Sequence, residues 1–201
     1  MEARQVDGGF IINFPGDLQY NYFGVFGISL PISVSRDQLI KILDFLRGQF
    51  RIQLINADSI ISWRHVASAA LKALRSFKYG RNIAHSIEME LLLYCSGKRQ
   101  IKDALKISGL SEFVKDFVLV VFGSSEFDIH NGLRCFLDLC SGAKLNLYVL
   151  SNRSMDHFKR LIELFNVVED ELKSVSKRGL SAWDALEYIL IERGCALEVY
   201  K

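Results

Sequence analysis

The stretch from Ser62 to Leu110, SWRHVASAALKALRSFKYGRNIAHSIEMELLLYCSGKRQIKDALKISGL, is the most informative part of this chain. Its apolar spacing predicts a helix over Ser62–Lys78, a second helix from about Ile83 to Tyr94, and a third over Arg99–Ile107. A basic turn around Asn82 separates the first two helices. Three helices in succession, joined by short turns, set the frame for the rest of the fold.

Positive charge is concentrated in the same stretch. Between Ser62 and Lys106 there are nine Lys or Arg residues against three acidic residues, a net charge of +6. The whole chain carries only +2, so the remainder sums to −4. A nearly neutral chain with one basic region indicates a local electrostatic role, and the phosphates of a nucleic acid are the usual partner of such a region.

The faces of the three helices differ. The first helix has one apolar face, formed by Val66, Ala69, Ala70, Ala73, Leu74 and Phe77, and a basic face with Arg64, Lys72 and Arg75. The second helix is apolar nearly all round, which is typical of a helix that is buried on most sides. The third is amphipathic, and we expect Ile101, Ala104 and Leu105 to point inward and Lys98, Lys102 and Lys106 to point outward.

Strands and further helices flank this stretch. We predict strands over Phe10–Phe14, Tyr22–Leu30, Ile52–Asn56 and Phe117–Phe122, a strand-like run over Leu145–Leu150, and an edge strand over Ala196–Tyr200. We predict helices between the capping box Ser35–Gln38 and Gly48, after Ser125, around Phe158–Phe165, and from Ser181 to Gly194. The pattern as a whole predicts a helix-rich α+β fold over residues 1–201, a single domain with several helices packed on a small, mostly antiparallel sheet.

Composition narrows the class of protein. The chain has 201 residues, half of them hydrophobic, and 14 are Phe, which excludes a disordered chain and allows a sizeable core. The uncharged run Leu18–Ser35 is interrupted by Gly, Pro and amide side chains, so we do not expect it to span a membrane. The N-terminus lacks the apolar core of a signal peptide. We therefore expect a soluble, cytoplasmic protein.

Enzyme motifs are incomplete. A phosphate-binding loop ending at Gly97-Lys98 would need a glycine at the position of Leu92. Glu88 and Glu90 are two residues apart and so point in different directions from a helix. The four Cys and four His residues lack metal-ligand spacing. We expect neither catalysis nor a bound metal or cofactor.

A helix-turn-helix DNA-binding protein is one alternative. The segment Gln100–Ser111 has small residues, Ala104 and Gly109, where the first helix and turn of that motif need them. The following residues, Glu112–Asp116, include two acids and lead into an apolar strand, so they make a poor recognition helix.

Three ordered motifs in the basic stretch resemble those of a known family. They are Asn82-Ile83-Ala84, then Met89-Glu90-x-Leu92-Leu93-Tyr94, then Ser96-Gly97-x-Arg99-Gln100-Ile101-x-x-Ala104, and they follow a helix ending Ala73-Leu74-Arg75-Ser76-Phe77. This order resembles the kinase-binding regulatory subunit of the KEOPS/EKC complex, the PRPK-binding protein family. The resemblance covers about Asn56–Leu110.

The resemblance implies a non-catalytic role. KEOPS makes N6-threonylcarbamoyladenosine (t6A) in tRNA, and another subunit performs the transfer. Members of this family bind the small atypical kinase/ATPase subunit of the complex, and some also bind the single-stranded 3′ CCA end of the tRNA. The resemblance implies no metal, nucleotide cofactor or small-molecule substrate for this chain.

Single-stranded RNA is held by basic grooves and by platforms for splayed bases, and the Ser96–Lys102 segment suits that task. Gly97 permits RNA to approach the backbone closely. The first amides of the third helix can donate hydrogen bonds to a phosphate. We predict a tRNA-binding site formed by Lys98, Arg99, Gln100 and Lys102, with Arg75 and Asn82 as second choices. A twelve-residue second helix would hold its two ends roughly 18 Å apart, so we do not expect one compact contact to use both.

Each of these residues also has a structural interpretation. In this interpretation Arg99 pairs with Glu90, and Gln100 caps the third helix. Lys102 and Lys106 form a solvent-exposed helix face. Asn82 caps the second helix.

A surface for the kinase subunit should expose apolar or aromatic anchors, and the candidates are Tyr188, Ile191 and Leu197, unless these residues complete the core. An interaction adaptor without RNA contact is thus the second hypothesis, after the tRNA-binding subunit and before the DNA-binding protein.

Overall fold

An antiparallel sheet forms the centre of the fold. The computed structural model describes residues 2–176 and 179–199. Within these residues the strand order is β1-β2-β3-β5-β4, with β6 paired to β3, and all pairings are antiparallel. The strands are β1 (Glu2–Val6), β2 (Gly9–Asn13), β3 (Tyr22–Ser35), β4 (Arg51–Asn56), β5 (Phe113–Gly123) and β6 (Lys144–Leu145).

Eight α-helices accompany the sheet in the described residues. They are α1 (Arg36–Leu46), α2 (Trp63–Lys78), α3 (Ile87–Ser96), α4 (Ile101–Ser108), α5 (Glu126–Leu139), α6 (Met155–Phe165), α7 (Glu169–Ser176) and α8 (Ala182–Val199). The predicted α+β class, with helices on a mostly antiparallel sheet, is confirmed. None of the helices in the described residues is long and apolar enough to cross a membrane.

Helices cover both faces of the sheet, because β5 is apolar on both sides. Alternate residues of a strand point to opposite faces. Val118, Val120 and Phe122 belong to the cluster that includes α2 and α3. Phe117, Leu119 and Val121 point to the other face and belong to the cluster that includes α1 and α5. Burial on both faces explains the unbroken apolar run that the sequence shows here.

A third cluster attaches the C-terminal helices to this frame. Leu161 and Phe165 of α6 pack with Leu186 and Leu190 of α8, and Ile107 of α4 joins them. Helix α8 also contacts α2 and α3. The C-terminal helix therefore lies against the basic stretch singled out in the sequence.

Local capping explains where two helices start. The Ser62 hydroxyl accepts hydrogen bonds from the amides of Arg64 (3.1 Å) and His65 (3.2 Å) and so begins α2 as predicted. At the start of α1 the predicted capping box is confirmed: the Gln38 side chain accepts a hydrogen bond from the Ser35 amide at 3.1 Å, and the Ser35 side chain faces the Gln38 amide in return.

The predicted start of the second helix is wrong. Helix α3 begins at Ile87, and its N-cap is Ser86, whose hydroxyl accepts from the Met89 amide at 3.3 Å. Asn82 is not a helix cap; its side-chain amide donates to the Ala84 carbonyl at 2.9 Å and closes a local turn. With ten residues instead of twelve, α3 holds its ends about 15 Å apart rather than 18 Å.

The prediction for the C-terminus is also wrong. Helix α8 does not end at Gly194 but continues to Val199, where an edge strand was expected. Gly194 is in the helix for a packing reason, since a Cβ there would lie 2.8 Å from the Tyr94 carbonyl oxygen. The last residue of the predicted strand, Tyr200, lies outside the described residues.

Two smaller predictions fail. Of the run Leu145–Leu150, only Leu145 is in a strand, β6, and Leu147–Leu150 forms a 3₁₀ turn. On α4, Ala104 is buried, but Ile101 (38% exposed) and Leu105 (43%) face outward.

The segment after α4 is strand β5 instead of a second helix, which rules out the helix-turn-helix alternative.

Candidate nucleic-acid interface

A fully buried carboxylate, that of Glu90, organises the turn between α2 and α3. One oxygen accepts hydrogen bonds from the amides of Ile83 (2.9 Å) and Ala84 (2.8 Å), and the other accepts from the Ser76 hydroxyl at 2.9 Å. A buried charge is tolerated only when such partners surround it. Glu90 therefore fixes the loop that follows Arg81 to both helices.

The C-terminus of α2 turns back on itself at Gly80. Gly80 has a left-handed φ of 63°, a conformation that glycine adopts without steric cost. The Arg81 amide donates to the Ser76 carbonyl at 2.8 Å and the Gly80 amide to the Phe77 carbonyl at 3.2 Å, the two bonds of a Schellman motif. This closure brings Arg81 beside Arg75.

A cavity of about 300 Å³ lies at this end of α2. Among the described residues, its lining consists of two guanidinium groups, two tyrosines, a hydroxyl and a carboxylate, from Arg75, Arg81, Tyr79, Tyr94, Ser76 and Glu198. We call it the arginine cavity. Glu198 is on α8, so the cavity combines the basic stretch with the C-terminal helix.

The C-terminus of α3 is built in a similar way. Gly97 caps the helix with φ 65°, and the Lys98 amide donates to the Leu93 carbonyl and to the Ser96 hydroxyl, both at 3.2 Å. A Cβ on Gly97 would lie 3.2 Å from the Cβ of Arg193, so the turn lies directly on α8. Lys98 and Arg99 then project from a tightly held turn.

A second cavity, of about 400 Å³, lies at this turn. Its lining includes the Ser96–Arg99 segment together with Phe165, Arg193, Ala196 and Leu197. We call it the loop cavity. The charge of Arg193 is offset there, because its guanidinium donates to Glu171 at 2.7 Å and to the Phe165 carbonyl. Lys98 and Arg99 are further basic residues of its lining.

Helix α8 brings the two cavities next to each other. Ala196 and Leu197 line the loop cavity, and the next residue, Glu198, lines the arginine cavity. The absence of a side chain at Gly194 lets this part of α8 approach the α3 backbone at Tyr94. The two ends of α3, which the sequence suggested were too far apart for one contact, thus flank a single turn of α8.

The structure distributes the predicted site residues over four places. Lys98 and Arg99 line the loop cavity, and Arg75 lines the arginine cavity. Gln100 is exposed at the N-cap position of α4, where its side chain makes no capping hydrogen bond within the described residues. Lys102 is exposed on α4, one turn away from the loop cavity. Asn82 is turned into its own loop.

Sequence reasoning did not select three residues of these cavities, Tyr79, Arg193 and Glu198. Arg81 lies in the predicted basic turn around Asn82 but was not selected as a site residue, although the glycine before it indicates a Schellman closure. No local pattern marks Arg193 or Glu198, because their place depends on how α8 packs against α3.

Two buried titratable groups lie behind this surface. Burial and, to a smaller extent, the nearby Lys72 ammonium lower the pKa of His65 to about 4. Burial raises the pKa of the Cys95 thiol to about 12. Both side chains are therefore neutral near pH 7. Within residues 2–176 and 179–199, no group of three or more His, Cys, Asp or Glu side chains is arranged to hold a metal ion.

Three curated relatives show similarity to parts of this chain. "Regulatory protein Cgi121" of Methanocaldococcus jannaschii is 39% identical over 62 residues, which is 31% of this chain and 40% of the relative. "KEOPS complex subunit Cgi121" of Pyrococcus abyssi is 39% identical over 61 residues, 30% of this chain and 34% of the relative. "EKC/KEOPS complex subunit CGI121" of Coccidioides immitis is 25% identical over 117 residues, 55% of this chain and 56% of the relative.

The aligned regions thus span between about a third and somewhat more than half of the relatives' length. The model of one protein family, described as "Kinase binding protein CGI-121", matches residues 33–182, which is most of the chain and includes the turns at both ends of α3. The chain belongs to the CGI-121 kinase-binding protein family.

Proposed function

We propose that this chain is a non-catalytic subunit of a cytoplasmic KEOPS-type complex. In this role it supports t6A synthesis, binds the atypical kinase/ATPase subunit, and holds the 3′ CCA end of the tRNA. Family membership supports the kinase-binding part, and two relatives that carry KEOPS in their names support the complex. We further propose that residues 1–201 act as a single domain.

One observation carries the RNA-binding part of the proposal: two basic clusters flank the same turn of α8. Arg75 and Arg81 lie on one side, and Lys98 and Arg99 on the other. Consecutive phosphates of an extended single strand need cations spaced along a groove, rather than one deep pocket. A strand laid across the last turns of α8 meets both clusters.

Backbone amides add to the attraction at the loop cavity. The first amides of α4 have no partner within the helix, and they carry the positive end of its dipole. Lys98, Arg99, Gln100 and Lys102 surround this helix start. An anionic oxygen placed here gains both charge and hydrogen-bond donors.

Charge reversal at Lys98 and Arg99 tests the site. The double variant Lys98→Glu/Arg99→Glu should bind tRNA more weakly, and the slope of log K against log salt should flatten by about 1.4, since each phosphate contact of a single strand contributes about 0.7. Binding is measured by fluorescence anisotropy between 50 and 200 mM salt, a range over which such slopes are resolved.

The matched control reverses two exposed lysines elsewhere, Lys41→Glu/Lys115→Glu, and so changes the net charge by the same amount. If the control loses as much slope as the site variant, only the overall charge matters and the proposed site is wrong. Unchanged affinity in the site variant has the same consequence.

For the kinase subunit we propose the exposed face of α8 around Tyr188 and Ile191. A cavity of about 400 Å³ lies there, rimmed by Arg64, Asp184 and Glu187. Tyr188 is 60% exposed, as an interface anchor must be. Leu197, the third predicted anchor, is buried in the core and is therefore not part of the proposed kinase-binding surface.

Tyr188→Ala should weaken capture of the kinase subunit about ten-fold or more, as expected for an aromatic anchor. Tyr148→Ala, which removes a tyrosine of similar exposure (57%) on another surface, should not. Kinase capture without any tRNA binding would favour the adaptor alternative over the RNA-binding subunit.

A further inference from the structure

The arginine cavity contains one feature that a phosphate-binding site does not need, the carboxylate of Glu198. Two guanidinium groups attract phosphate, whereas a carboxylate beside them repels it. Resting on the proposed function, we propose that this cavity receives one nucleotide of the single-stranded RNA end, and that Glu198 selects a base with an amino group on its pairing edge over uracil, which has none.

The lining residues match the three parts of a nucleotide. Arg75 and Arg81 are exposed at the rim, where they meet the flanking phosphates. The Tyr79 side chain is 65% exposed and offers a ring on which a base stacks. Glu198 faces the same space from α8 and meets the edge of the base.

The size of the cavity agrees with one nucleotide. Its volume of about 300 Å³ is at the lower end of the range for ligand pockets, which extends to roughly 1,000 Å³. A base with its ribose fits such a space. The other nucleotides of the strand then pass over α8 toward Lys98 and Arg99.

The direction of selection follows from hydrogen-bond chemistry. An ionised carboxylate only accepts hydrogen bonds. Cytosine, adenine and guanine each present an amino group on the pairing edge, at N4, N6 and N2, whereas uracil presents the oxygens O2 and O4 on either side of its single N–H. Glu198 therefore favours the three bases that carry an amino group and disfavours uracil. All three bases of a CCA end carry the favoured group.

Glu198 lies beyond residues 33–182, the part that matches the family model, so family membership does not account for this role. The position of its carboxylate depends on the continuation of α8 past Gly194 and on the close approach of that glycine to the Tyr94 carbonyl. The selectivity is thus a consequence of the packing of α8 on α3.

Four RNA oligonucleotides test the proposal, one ending in CCA and three in which uridine replaces C, C or A in turn. Wild type should lose about five- to ten-fold in affinity for uridine at the position that occupies the cavity, the lower part of the range for a base-specific contact. In Glu198→Ala the loss at that position should fall below two-fold. Glu192→Ala, which removes an exposed carboxylate of α8 outside the cavity, should keep the wild-type preference.

The outcomes separate this inference from the proposed function. If wild type binds no RNA, the proposed function fails. If wild type binds the CCA end but Glu198→Ala retains its base preference, or gains affinity for all four ends equally, only the assignment of Glu198 is overturned. Wild-type binding without preference at any of the three positions overturns it as well. Circular dichroism confirms that each variant is folded before titration.

Discussion

Replacing Glu90 by alanine tests whether its buried carboxylate holds the turn that positions Arg81. The substitution removes the acceptor for the Ile83 and Ala84 amides and for the Ser76 hydroxyl. Leaving a buried donor unpaired costs about 1–3 kcal/mol, and breaking a buried charged network costs about 3–5 kcal/mol in total. We therefore expect Glu90→Ala to lower the free energy of unfolding by about 3 kcal/mol or more. Glu90→Gln keeps an oxygen for the two amides and should lose only about 1 kcal/mol.

Glu88→Ala is the matched control for this prediction. Glu88 is also buried and on the same helix, but its ion pair is with Arg51 at 3.7 Å, and the Arg51 side chain is 52% exposed. Because water can solvate Arg51 when its partner is removed, we expect a loss of only about 1 kcal/mol. Urea unfolding followed by tryptophan fluorescence gives both values, and hydrogen exchange at Ile83 and Ala84 reports the turn directly. Equal losses in the two alanine variants, with unchanged protection at both amides, would refute the role given to Glu90.

Two further predictions concern stability. The pKa of His65 is about 4 in the fold against 6.5 in an unfolded chain, so the unfolded chain binds the proton more readily. The stability that this residue contributes is therefore fully present above pH 6.5 and is lost as pH falls toward 4. Between pH 7 and pH 5 the free energy of unfolding should drop by about 2 kcal/mol from this residue, and His65→Leu should show a correspondingly smaller drop in urea titrations at the two pH values. Gly194→Ala should destabilise the fold by about 1–2 kcal/mol, since the new Cβ would lie 2.8 Å from the Tyr94 carbonyl and the clash outweighs the gain in helix propensity. Gly48→Ala, with open space around the new Cβ, should be neutral or slightly stabilising, and a similar result for both glycines would contradict the packing role of Gly194.

Much of the fold could be predicted because local signals agreed with tertiary packing. Ser62 has the capping role expected from the sequence, and the apolar run around Phe117–Phe122 is the buried central strand. The second helix shows how two local signals compete. Asn82 and Ser86 are both suitable N-caps, and the structure uses Ser86 because Glu90 holds the intervening residues in a turn.

The C-terminal part could not be predicted from local pattern. Glycine near the end of a helix usually indicates where it stops, but Gly194 permits a backbone contact with another helix. Strand β1 (Glu2–Val6) is a polar edge strand with little apolar signal, so it was not predicted.

The candidate site shows the same division. Lys98, Arg99 and Arg75 could be proposed as site residues because they lie in one basic stretch of the sequence. The proximity of the two basic clusters could not be predicted, because it depends on α8, which is about a hundred residues away along the chain. Non-local packing of this kind leaves no periodic pattern to read.

The most direct test of the central claim is a titration of the full chain with intact tRNA and with the same tRNA lacking its 3′ CCA. Because stacking of a single base contributes about 1–3 kcal/mol, removal of three nucleotides should weaken binding at least ten-fold. Equal affinity for the two tRNAs, or binding to neither, would contradict the claim that this protein holds the end of a tRNA.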